Sequence, residues 1–296
     1  MGRAMSDRLL GGIEAGGTKF VCVVGTGPDD IRERARIDTT TPDETIGASI
    51  EFFGENGPVS SIGIATFGPV ELRRGRNKYG FITTTPKSGW GDADLAGRVE
   101  RELGVPVAIE TDVTGAALGE WRWGAGRGYR TIVYVTVGTG IGGGLLIDGR
   151  ATPGLVHPEM GHVLVERQPG DEFPGNCPYH GDCLEGMAAG PAIEERWGRR
   201  GEELRELEEQ AIELEAKYLA SGFRNIVYAV APERIILGGG VGSMPGLVER
   251  VQAELLATMN GYAVLPEHQA DFVVAPGLGV NSGAAGALAL AEQALT

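Results

Sequence analysis

The stretch TIVYVTVGTGIGGGLLIDG, residues 131–149, decides how this chain folds. Its first seven residues are rich in β-branched and aromatic side chains, the composition of a buried strand. GTGIGG (138–143) follows as a glycine turn, and LLIDG reads as a second strand closing in a turn. Residues 9–25, LLGGIEAGGTKFVCVVG, show the same plan of strand, glycine turn and strand, starting 122 positions earlier. A unit that recurs in this way predicts two halves of similar construction.

Working outward, each repeat opens an α/β half. After the first, IRERARIDTT reads as a third strand of alternating character. TPDETIGASIEFFGEN is a helix with Thr41 as its cap, Pro42 at its first position and Glu44 three residues after the cap. SIGIATFGPV is a buried strand that ends in a loop. DADLAGRVERELG is a helix closed by Gly104, VPVAIETD the next strand, and VTGAALGEWRWG the next helix. The second repeat leads into a loop-rich stretch over 150–183. A long helix follows around 201–230, with Leu204, Leu207, Ala211, Leu214 and Phe223 near helical spacing. Seven glutamates between 202 and 217, against Arg205 and Lys217, read most simply as its solvated face. ERIILGGGVG is a strand into a glycine turn, MPGLVERVQAELLATM a helix, ADFVVAPG a strand, and SGAAGALALAEQAL a closing helix. The expected division is a first α/β domain over 1–115 and a second over 116–296.

Composition narrows the function. A net charge of −14 over 296 residues argues against nucleic acid or an anionic membrane surface as the main partner. Anionic small molecules remain open, because main-chain amides and lysines can hold them locally. The 49 glycines are clustered, which predicts tight turns and backbone-lined pockets. No apolar run approaches the roughly 20 residues of a membrane helix, and MGRAMSDRLL lacks a signal-peptide core. Gly2 and Ser6 fit the loose myristoylation pattern, with no second anchor nearby. Three cysteines make no disulfide framework, so the cytoplasm is the expected location.

Two glycine motifs resemble nucleotide fingerprints and fail on context. GTGIGG matches G-x-G-x-x-G, but a strand follows where the dinucleotide motif needs a helix. GIEAGGTK (12–19) is P-loop-like, but Thr18 precedes Lys19 and a strand follows here too. What remains is a pair of glycine turns, each with a threonine near its tip, Thr18 and Thr139. They are either two tight hairpins or two phosphate cradles in corresponding places, in which a nucleotide is clasped between the halves. The third turn, LGGGVG (237–242), joins a strand to a helix. It is either a close turn or a place where a base or ribose lies on bare backbone.

Asp112 stands between a strand end and a helix start, where ligands gather in α/β sheets. It either caps the helix or accepts a proton from a hydroxyl attacking the γ-phosphate of ATP. CPYHGDCLEG (177–186) places Cys177, His180 and Cys183 on one short loop, with His162 fifteen positions before Cys177. Two thiolates and two imidazoles suit tetrahedral Zn²⁺. His157 is a further candidate ligand. A redox pair is the rival, though the two cysteines are six apart and not C-x-x-C. Chance clustering is the other. Four protein ligands would close the shell and make the site structural.

Taken together, GIEAGGTK, ETDVTGAALGEW, VTVGTGIGGG, HPEMGH and CPYHGDCLEG resemble the ROK family of sugar kinases, and within it the bacterial fructokinases. TTPKSGW (84–90) is similar to that subgroup as well. The resemblance spans about residues 9–290. It implies an actin-like α/β fold, two ribonuclease-H-like domains with a cleft between them, the closing helix at about 281–296 packing back on the first domain. It implies that Gly16, Gly17, Thr18 and Lys19 form a first phosphate-binding segment and Gly138, Thr139 and Gly140 a second. Gly239 and Gly240 would lie by the adenosine, and Asp112 would be the catalytic base. Glu159 and His162 match the sugar-binding E-x-G-H, and Glu185 the sugar-contacting glutamate after the last metal ligand. Thr111, at the sugar side, stands where Asn is frequent, and so does Thr114. Neither can make the contacts of an amide.

The implied activity is ATP-dependent phosphorylation of a hexose 6-hydroxyl, with Mg²⁺ on ATP and structural Zn²⁺. Fructose is the expected substrate and a homodimer the expected assembly. Glucokinase, mannokinase and N-acetylhexosamine kinase are the alternatives within the family. A sugar-responsive regulator would need an N-terminal helix-turn-helix of roughly 60–80 residues, and only eight residues precede the first strand. A non-catalytic actin-like scaffold leaves the acid at 112 and the metal loop unused.

Overall fold

The computed structural model describes residues 8–85, 87–152, 154–199 and 208–296. The chain divides into two compact units. One runs to Arg127 and regains the chain at Gly149–His157 and Gly277–Thr296, and the other holds Gly128–Asp148 and Pro158–Pro276.

In the first unit, β1 (Leu10–Ala15), β2 (Lys19–Gly27) and β3 (Asp30–Asp38) form an antiparallel meander. β4 (Ile62–Thr66) pairs parallel with β1, and β5 (Val107–Thr111) parallel with β4, giving the order β3-β2-β1-β4-β5. Helices α1 (Pro42–Asn56), α2 (Leu95–Leu103) and α3 (Asp112–Trp123) complete the α/β pattern. α1 starts as its sequence predicts: Pro42 is the first helical residue and the Thr41 hydroxyl accepts from Glu44 N at 3.3 Å. α2 ends at Gly104 in the left-handed region, φ 67°. Trp90, from the TTPKSGW stretch, is fully buried against Phe20 and Phe67 and donates its indole N–H to Thr40 O at 2.9 Å. Its place is in the core. Pro86 of that stretch lies outside the described residues.

The second unit repeats the topology. β6 (Thr131–Val137) and β7 (Ile141–Ile147) are antiparallel. β9 (Arg234–Gly238) runs parallel to β6, and β10 (Val273–Val274) parallel to β9. A short strand β8 (Arg150–Ala151) follows β7 in the chain, and the order β10-β9-β6-β7 is that of β5-β4-β1-β2 with each strand replaced by its counterpart. The repeated strand–turn–strand units of the sequence are β1–β2 and β6–β7, at the same place in each sheet. Helices α4 (Leu184–Ala188), α5 (Gly190–Trp197), α6 (Glu208–Val230), α7 (Gly239–Gly242) and α8 (Leu247–Met259) belong to this unit. The core is aliphatic, built from Val133, Val135, Ile235 and Leu237 of the sheet with Leu219 and Phe223 of α6.

Three expectations change. The division expected at residue 115 falls inside α3, which stays with the first unit because it packs against α9 (Ser282–Gln293) and β4. That packing depends on small residues: a Cβ at Gly286 would overlap Gly115 O, and one at Gly63 would overlap Ala287 O. The α6 glutamates are not all solvated, for Glu215 is buried at 2% exposure, although Glu209 and Glu213 are exposed. Leu204, Leu207, Arg205, Glu202, Glu203 and Glu206 lie outside the described residues. Third, LGGGVG is not a plain turn, since Gly239–Gly242 closes one short helical turn. Among the described residues no helix is long and apolar enough to cross a membrane.

Candidate active site and metal centre

The two glycine turns have matching form. In the first unit Gly16–Thr18 join β1 to β2, with Gly16 N donating to Lys19 O at 2.9 Å. In the second, Gly138–Gly140 join β6 to β7, with Gly138 N donating to Gly140 O at 2.9 Å. Thr18 and Thr139 are the exposed tips. Nothing lies within 4 Å of a Cβ built on Gly17, Gly138 or Gly240. The folded chain therefore does not itself require glycine at these three places. A ligand that approaches the bare main chain would. Gly239 differs, since its φ of +89° lies in the left-handed region and a Cβ there would meet Val137 O. The fold alone explains that glycine.

Asp112 is the first residue of α3, and Thr111 is its cap. The Thr111 hydroxyl accepts from Thr114 N at 3.2 Å and donates to Thr114 Oγ1 at 2.8 Å. Thr111 is 3% exposed. Its hydroxyl and that of Thr114 are paired with each other. The same bond relieves Asp112 of the capping role. Asp112 Oδ1 accepts from Val113 N at 2.8 Å, so the carboxylate is oriented at a helix N-terminus, where negative charge is stabilised.

Two carboxylates of this unit were not singled out by the sequence reading. Glu14 stands in β1 near Asp112 and Lys19, and burial pushes its carboxyl above the usual range, opposed by Lys19 and reinforced by Asp112. Glu110, two residues before Asp112, is pushed up to about 7, chiefly by desolvation, against the Thr111 N–H, His157 and Arg74. The available signal was one acidic residue within each apolar strand, GGIEA and VAIET.

In the second unit, Glu159 precedes the 3₁₀ turn Met160–His162 and is exposed. Gly161 of that turn presses against Ile141, where a Cβ would overlap the carbonyl oxygen. His162 turns Nδ1 toward the sulfurs, at 3.7 Å from Cys177 Sγ and 3.5 Å from Cys183 Sγ. His180 Nδ1 is 3.7 Å from Cys177 Sγ. The four ligand atoms lie within 4.8 Å of one another. Zn–S of ~2.3 Å and Zn–N of ~2.05 Å at tetrahedral angles require an S···N edge of about 3.6 Å, so the cluster fits a tetrahedral cation. His157 lies outside this set. It belongs to the first unit, near Gly68. Glu185, two residues after Cys183, accepts from Ile141 N at 2.9 Å.

A model of the ROK family matches residues 10–294. This chain belongs to the ROK family. It is 46% identical over 297 residues to a fructokinase of Zymomonas mobilis subsp. mobilis, covering 97% of both chains. The crystal structure of a ROK hexokinase from Thermus thermophilus superposes with a TM-score of 0.81 at 27% identity, covering 97% of this chain and 99% of that one. A ROK family glucokinase from Streptomyces griseus, solved in complex with glucose and AMPPNP, gives 0.73 at 26% identity over 96% and 99%. The two repeated sheets are thus those of the ROK sugar kinase fold, α/β and actin-like.

Proposed function

We propose that this protein is an ATP-dependent hexose kinase that converts fructose to fructose 6-phosphate. The observation that carries the reading is Asp112: an oriented carboxylate at a helix start, not needed as the cap, with Lys19 of the first glycine turn close to Glu14 beside it. A carboxylate so placed accepts the proton of the 6-hydroxyl as that oxygen attacks the γ-phosphorus. Gly16, Gly17, Thr18 and Lys19, with Gly138, Thr139 and Gly140, supply N–H and cationic donors to the phosphates. The adenosine lies against Gly239 and Gly240. Mg²⁺ bound with the nucleotide would neutralise part of its charge.

Glu159, His162 and Glu185 hold the sugar in this reading. His162, Cys177, His180 and Cys183 would bind a structural Zn²⁺, which supplies no reacting group because four protein ligands leave no open position. With Nδ1 turned to the metal, the Nε2 edge of His162 is the one that can face a sugar hydroxyl or Glu159. Two metal-binding thiolates suit the reducing cytoplasm, where we place the enzyme. A homodimer is the assembly that the family resemblance supports.

A coupled ADP-release assay over fructose, mannose, glucose and N-acetylhexosamines tests the reading. The expected order puts fructose first in kcat/KM. A preference for glucose or an N-acetyl sugar would replace the substrate and keep the reaction, while no sugar-dependent ADP release would end it.

A further inference from the structure

The metal cluster is joined to the second glycine turn by a short, hydrogen-bonded path. Cys183 is the cap residue of α4, and Met187 N donates to Cys183 O at 3.0 Å. From the first turn of this helix Glu185 Oε2 accepts the N–H of Ile141 at 2.9 Å. α4 ends with Ala189 N on Glu185 O at 3.0 Å, and the next residue, Gly190, donates its N–H to Gly138 O at 2.7 Å. Both flanks of the turn Gly138–Ile141 are thus tied to the eight residues that begin at a candidate metal ligand. The fit is close, since a Cβ on Gly140 would stand 2.8 Å from Glu185 Oε2.

A phosphate cradle works only if its N–H groups keep a fixed direction. Ile141 N–H is held by a carboxylate that carries charge of the same sign as a phosphate, so this contact gives no direct attraction for ATP. Its effect is geometric. We infer that Glu185 is a positioning residue for the second phosphate turn, so that it governs nucleotide affinity in addition to any contact with the sugar. The inference rests on reading Gly138–Gly140 as a phosphate-binding turn.

The test uses Mg·ADP without sugar, so that a sugar contact at Glu185 is silent. ADP affinity is measured calorimetrically for the full chain and for Glu185→Ala, Glu185→Gln and Gly138→Val. Ile141 amide exchange is followed in each. Glu185→Ala removes the acceptor, so ADP should bind about ten-fold more weakly and the Ile141 amide should exchange faster. Glu185→Gln keeps an acceptor oxygen and removes the charge, so it should restore both ADP affinity and slow exchange. Gly138→Val fills the open space and should weaken ADP on its own. If Gly138→Val weakens ADP while Glu185→Ala binds it as the wild type does, the positioning role is wrong and the turn reading stands. If Gly138→Val leaves ADP binding unchanged, the turn reading fails and the positioning role fails with it.

Discussion

The Thr111 hydroxyl accepts the Thr114 N–H at 3.2 Å and so caps α3, and the neighbouring Asp112 carboxylate, the first residue of the helix, is not the cap. Asp112→Asn keeps size and position but removes the proton acceptor. The expected result is a loss of about 10²–10⁴ in kcat, with fructose and ADP affinities retained. Near-normal turnover in a single-turnover assay would end the general-base role.

The cap has its own consequence. Thr111→Ala removes the acceptor for Thr114 N and the partner of the Thr114 hydroxyl, in a buried position. Stability should fall by about 1–2 kcal/mol, read as a shift of the urea midpoint at constant slope.

Cys183 is fully buried, and its thiol is pushed up to about 11, first by desolvation. Cys183→Ser takes away one of four ligands and the best-enclosed sulfur. The protein should lose zinc by elemental analysis, melt at a lower temperature and show a raised fructose KM. Stoichiometric zinc with unchanged kinetics would refute the metal assignment.

Glu120 is 0% exposed, and its carboxylate accepts from Ala125 N at 2.7 Å, Gly277 N at 2.9 Å, Leu278 N at 3.0 Å and Ser282 Oγ at 2.6 Å. Four donors converge on two oxygens and tie the end of α3 to the start of α9. Glu120→Gln places an NH₂ against N–H donors. The expected cost is about 2–3 kcal/mol, measured by thermal or denaturant unfolding, with a smaller change in the KM of both substrates.

Glu110 makes stability depend on pH. Its carboxyl is pushed from 4.5 up to about 7, so the folded state holds this proton more tightly than the unfolded chain. Its contribution to stability is complete below pH 4.5 and is lost as pH rises through about 7. The loss amounts to roughly 3 kcal/mol. Unfolding measured at pH 5 and pH 8 should show it, and Glu110→Gln should flatten that part of the profile. An equal slope in the two proteins would place the proton elsewhere.

The local signals in the chain were sufficient for most elements. Thr41, Pro42 and Glu44 set the start of α1, Gly104 the end of α2, and the β-branched runs around the glycine turns the two hairpins. The C-x₂-H-x₂-C spacing brings three candidate ligands to one loop because near neighbours in sequence are near in space. Glu215 shows where such reading stops. Its neighbours suggested a wet helix face, yet it is buried on α6, with its carboxyl held well above the usual range by desolvation and drawn down only by Arg196. Burial depends on what packs over a side chain, and that partner is distant in sequence.

The duplicated strand–turn–strand plan, the residue types of the candidate metal loop and the presence of an acid at a strand end are legible in the chain alone. These follow from side-chain chemistry and periods of two or 3.6 residues. The packed structure adds that Glu185 grips Ile141, 44 residues away in sequence, and that the ligand atoms of His162, Cys177, His180 and Cys183, the set expected from the sequence, lie within 4.8 Å of one another. Those relations depend on which hydrogen-bonding groups meet once loops and helices pack. A one-dimensional pattern does not encode that meeting residue by residue.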